Sequence, residues 1–67
     1  MAKARFFIAK KLLADSGSYQ PGKVLGTPKG YRDVAFAEHD LPRLADRAKV
    51  GTGSLGIFHA ITRQLVQ

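Results

Sequence analysis

The chain reads as a small α+β domain, one helix packed on an antiparallel sheet of about four strands, and three segments carry that reading. RFFIAKKLL is bulky, partly β-branched, and stopped by the turn-forming DSGSYQPG. HDLPRLADRAKVG places apolar residues at helical spacing between start and stop signals. GTGSLGIFHAITRQLVQ joins a glycine-rich entry to a β-rich body. With 67 residues the chain makes a single domain, and one this short buries roughly 60% of the surface its unfolded form exposes. It contains no cysteine, so neither disulfides nor thiolate metal sites reinforce the core.

Residues 5 to 13 form the first predicted strand. Phe6 and Ile8 share one face, Phe7 and Ala9 the other, and apolar residues on both faces suit a central position. The stretch KVLGTPKGYRDVAF, residues 23 to 36, is read as a hairpin. Pro28 has the fixed φ wanted at the second position of its turn, and Gly30 can take the positive φ that returns the chain. Val24 and Leu25 lie on one arm, with Val34 and Phe36 on the other. A phosphate-cradling loop needs a glycine-rich passage from strand to helix followed by Lys-Ser or Lys-Thr, and no such pair exists here. The turn instead displays Lys29 at its tip, near Lys23 and Arg32.

In the predicted helix, Asp40 caps the first turn, Pro42 occupies a position whose amide is unused, and Gly51 offers the left-handed exit. Leu41, Leu44, Ala45 and Ala48 face the core, while Arg43, Asp46, Arg47 and Lys49 face solvent. The last segment has two readings. Ile57, Phe58, Ile61, Thr62 and Val66 are good strand residues, yet Ile57, Ile61 and Leu65 fall four apart, as on a helix. The two readings also disagree about Gly56: in a strand Val equals or beats Ala as its replacement, in a helix Ala wins.

The net charge of +6 lies wholly in one half of the chain. Residues 1 to 32 carry seven Lys or Arg against Asp15 alone, whereas residues 33 to 67 carry four cations and four carboxylates. Such asymmetry points to an anionic partner, either nucleic acid or an acidic protein surface. Lys10, Lys11, Lys23, Lys29 and Arg32, on predicted neighbouring strands, are the candidate partner-binding residues. No run approaches the ~20 apolar residues of a membrane span, and the lysines after the first apolar stretch argue against a signal peptide, so a cytoplasmic location and no membrane partner are expected.

No catalytic group and no metal site or other cofactor is expected. His39 lies in EHD, whose adjacent side chains cannot all converge on one ion, so capping is the better reading. His59 with Ser54 or Thr62 lacks a third orienting group, which argues against an enzyme. Phe6, Phe7 and Tyr31 suit the core better than a base-stacking platform.

With the end read as a strand, the order strand, hairpin, helix, strand, with YRDVAFAEHD before the helix and GIFHAITR after it, resembles the small host-takeover proteins of short-tailed phages, notably their inhibitors of bacterial RNA polymerase. The resemblance implies an inhibitor or modulator of a host machine handling nucleic acid, acting in the bacterial cytoplasm by wedging a small folded domain against a host protein complex such as RNA polymerase. The basic charge of the chain adds that the docked face is acidic. The resemblance also adds Arg63, on the last strand, to the partner-binding residues, and leaves room for weak nucleic-acid binding. With the end read as a helix, LPRLADRAKVGTGSLGIF looks like a helix-turn-helix with Leu44, Ala45, Ala48, Val50, Leu55 and Phe58 buried, which implies a DNA-binding transcriptional regulator. Its reading helix offers Thr52, Ser54, Gly56 and Ile57 to the groove, without Arg, Asn or Gln until Arg63 and Gln64.

Overall fold

The structure, a computed structural model, describes residues 5–26 and 30–66. Strand β1 spans Phe6–Leu13, β2 Tyr19–Leu25 and β3 Leu55–His59, and one helix, α1, spans Val34–Ala48. The sheet is antiparallel in the order β2-β1-β3. β1 is therefore central, as its two apolar faces require.

Three strands stand among the described residues where about four were expected. Two isolated bridges extend the sheet instead: Tyr31 pairs with Phe6, and Leu65 pairs with Phe58. The hairpin is also placed differently. It joins β1 to β2 through residues 14 to 18, where the Ala14 amide donates to the Ser18 carbonyl and the Gly17 amide to that of Ala14. Gly17 supplies the left-handed φ of +86°. Of the hairpin predicted around residues 23 to 36, Gly30 has its expected positive φ, whereas Pro28 and Lys29 lie outside the described residues. Val34 and Phe36, taken for its second arm, belong to the first turn of α1.

β2 contains Pro21 and Gly22, both poor residues for a strand interior. Edge position and a bulge reconcile them with the sheet. Ala9 pairs with Val24 and Lys11 with Pro21, so Gly22 and Lys23 together oppose Lys10. A β-carbon on Gly22 would sit 3.0 Å from Leu12 Cγ and 3.2 Å from the Lys10 carbonyl oxygen. Glycine thus permits the close approach of the two strands.

Helix α1 begins six residues before the predicted cap. Its N-cap is Asp33, and Pro42 is an interior residue, which leaves the Glu38 carbonyl without its helical donor. Asp40 is in mid-helix rather than at the cap, and its Oδ2 accepts a 2.8 Å hydrogen bond from the Tyr31 hydroxyl. Val34, Ala37, Leu41, Leu44 and Ala45 form the inner stripe, and Ala48, expected inside, is exposed. The left-handed exit falls at Lys49 (φ 59°) instead of Gly51, whose φ is −72°. There the Val50 amide reaches the Ala45 carbonyl and the Lys49 amide that of Asp46, closing the last turn.

The core lies between α1 and one face of the sheet. Ile8, Leu55 and Ile57 are buried there with Tyr31, Ala37 and Ala45, and Phe6 and Leu25 pack at the margin. After Val50 the chain makes a 3₁₀ turn over Thr52–Ser54 and enters β3, so a strand occupies the place of the proposed reading helix. Among the described residues there is no second α-helix, and the helix-turn-helix reading falls. No described helix is long and apolar enough to cross a membrane.

Candidate functional site

The sheet face turned away from α1 is built by alternation along β1. Phe7, Ala9 and Lys11 point to this side, opposite Phe58, Gly56 and, across β2, Val24 and Pro21. Phe7 stacks on Phe58, ring centroids 5.8 Å apart and planes inclined by 23°. Phe58 and Ala9 are wholly buried although α1 is on the other side. Their cover is the chain after β3.

That chain turns at residues 60 to 63 and comes back along the outer edge of β3. The His59 amide donates to the Gln64 carbonyl, the Val66 amide to that of Ile57, and the Arg63 amide to that of His59. His59 organises the turn from its side chain as well, since Nδ1 accepts from the amides of Ile61 (3.1 Å) and Thr62 (3.3 Å). The proton of a neutral imidazole bonded in this way sits on Nε2. Thr62 Oγ1 accepts from the Gln64 amide, so the hydroxyl considered beside His59 is part of the same turn. The return brings Leu65 over Gly56 and Lys11, and carries the Arg63 guanidinium to 5.2 Å from the centre of the Phe7 ring. In the same way Lys11 Nζ lies 5.1 Å from the centre of the Tyr19 ring. A cation seated on a ring at an exposed site gains about 0.5–1 kcal/mol, enough to bias where it rests.

The predicted basic residues divide between two surfaces. Lys10 and Lys11 are neighbours on a strand and point to opposite faces. Lys10 meets Lys23 at the bulge, on the side of the sheet that carries α1, and Arg32 is exposed in the approach to that helix. Lys11 and Arg63 are on the far face. Lys29 lies outside the described residues, and the other five positions do not share one face. The strand alternation carries the information needed to separate Lys10 from Lys11, but the pairing of Lys11 with Arg63 needs the turn at residues 60 to 63.

Across the far face runs a cleft of about 620 Å³ between the start of β2 and the closing turn. Ser18, Tyr19, Gln20 and Pro21 form one wall, and Thr62 to Leu65 the other. Sequence reading missed this cleft, because its walls are more than forty residues apart in the chain. The carboxylates are elsewhere: Asp33 occupies the N-cap position of α1, and Glu38, Asp40 and Asp46 are on the helix, leaving Asp15 in the β1–β2 turn. Arg43, also on α1, stands 3.8 Å from Asp40. Among the described residues no carboxylate pairs with Lys10, Lys11, Lys23, Arg32 or Arg63. Compared with known proteins, the chain matches no family model, no curated protein and no solved structure.

Proposed function

We propose that the protein is a small, basic, non-catalytic binding protein of the phage type, which docks on an acidic face of a host machine handling nucleic acid, such as RNA polymerase, and inhibits or modulates it. The observation that carries this reading is the segregation of charge: four of the five acidic side chains stand on α1 and its N-cap position, while among the described residues Lys10, Lys11, Lys23, Arg32 and Arg63 have no carboxylate partner. Unneutralised charge of one sign attracts an anionic surface and accelerates encounter with it. A protein surface suits the far face better than bases do. Phe58 is buried and the Phe7 and Tyr19 rings already carry cations, whereas single-strand binders hold ring faces open for stacking.

The test is transcription by purified bacterial RNA polymerase with the protein titrated in, together with direct binding to the enzyme across a range of salt. Altered transcription and a complex that persists at high salt are expected, since a buried apolar centre holds affinity after charge is screened. Absence of any complex, with duplex DNA bound instead at a log–log salt slope of about −0.9 for each phosphate contact, would reject the proposal.

A further inference from the structure

We infer that the cleft between the start of β2 and the closing turn is the anchoring part of this docking surface, taking an extended, carboxylate-bearing segment of the partner protein with Arg63 gripping the carboxylate. The inference rests on the docking function and adds the site and the chemistry of its guest.

Three observations converge on it. The first is the lining. Among the described residues no carboxylate borders the cleft, Arg63 is its cation, and Gln20, Gln64, Ser18 and Thr62 offer the amides and hydroxyls that bond a peptide main chain. Tyr19 and Leu65 add apolar surface. Guanidinium matches carboxylate in a two-pronged geometry that an ammonium lacks.

The second is the backbone of Arg63, which has φ 60°. This is the last residue of a four-residue turn, a position that glycine fills without strain. The other non-glycine residue with positive φ among the described residues, Lys49, is accounted for by its place at the end of α1, where its amide bonds back into the last turn. The one contact of the Arg63 side chain described above is with the Phe7 ring, which leaves its donors free for a guest. Non-glycine residues held in this conformation cluster at binding and switch sites.

The third is rigidity. The turn is held by His59 Nδ1 from inside, and the guanidinium rests on Phe7, so the anchor is positioned before a guest arrives.

The experiment is fluorescence anisotropy at moderate salt with three labelled probes: a ten-residue peptide of Glu, Asp, Leu and Ser, its counterpart with Gln and Asn in place of the acids, and a ten-residue oligothymidylate. The acidic peptide is expected to bind and its amide counterpart to bind at least fivefold more weakly. Arg63→Gly and Arg63→Gln are expected to weaken the acidic peptide at least fivefold, with Arg63→Gly melting no lower than the parent. Lys23→Gln and Arg32→Gln, which remove the same charge elsewhere, are expected to stay within twofold. Equal weakening by all four variants, tighter binding of the oligothymidylate, or no discrimination between the two peptides overturns the assignment. If the peptide fails to bind while the Arg63→Gly protein still binds polymerase, only the cleft is misassigned. If the parent protein binds neither, the docking function falls with it.

Discussion

A β-carbon built on Gly56 sits 2.6 Å from Leu65 Cδ1 and 2.8 Å from Lys11 Cγ. The residue is in a strand, where Val was expected to equal or beat Ala as its replacement. Packing reverses that order. Leu65 Cδ1 is the far end of a side chain and can yield to one methyl group, whereas the two γ-carbons of Val add volume to a face already closed by Leu65 and Lys11. Overpacking of this kind typically costs about 1–3 kcal/mol, so we expect Gly56→Ala near the lower end and Gly56→Val near the upper. Urea midpoints would measure it, and a Val variant as stable as the Ala variant would show that the closing segment lifts freely from the sheet.

Helix α1 carries its own imperfection in Pro42, the ninth of its fifteen residues. The missing amide deprives Glu38 of a bond in a stretch whose inner residues, Leu41 and Leu44, are anchored in the core. Tertiary packing of that stripe outweighs the local preference, which on its own would have started a helix at residue 40 and left Val34 to Ala37 extended. Proline in a helix interior costs ~3 kcal/mol relative to alanine, partly offset by its stiffening of the unfolded chain. Pro42→Ala is therefore expected to stabilise the protein by about 1–2 kcal/mol, read as a higher urea midpoint with unchanged or greater helical circular dichroism. A loss of stability would mean that the bend at Pro42 is needed to lay both halves of α1 on the sheet.

At the scale of the molecule, the two sets of cations divide the work of association under the proposed function. Lys10, Lys23 and Arg32 stand away from the cleft and act at a distance, which raises the rate of encounter and fades as salt screens it. Lys11 and Arg63 make short-range contacts on the far face, and the loss of such contacts shows in dissociation. The expected outcome for Lys23→Glu with Arg32→Glu is a five- to tenfold slower association with polymerase at low salt, most of it gone at high salt, and a nearly constant dissociation rate. Arg63→Gly is expected to do the opposite. Surface plasmon resonance at two salt concentrations separates the two, and an Arg63→Gly protein that dissociates as the parent does would move the anchor to the other surface.

Sequence alone determined those features that depend on local pattern. The period-two alternation of Phe6, Phe7, Ile8 and Ala9 specified a central strand, the spacing of Leu41, Leu44 and Ala45 specified the inner face of the helix, and the count of charges specified a basic first half. Tertiary structure decided whatever local pattern left balanced or misread. Residues 55 to 59 suit strand or helix equally in isolation, and pairing with β1 selects the strand because both faces of that segment can then be buried. Val34 and Phe36 alternate like a strand, yet Val34 with Ala37 completes the helical stripe that covers Ile8 and Ile57. The arrangement of the candidate site belongs to this second class, although Lys11 and Arg63 were each singled out in the sequence. Lys11 and Arg63 are 52 positions apart in the chain, and only the register of three strands and the return of the chain at Arg63 set them on one face, since a side chain's direction in a sheet follows from pairing rather than from its neighbours in sequence.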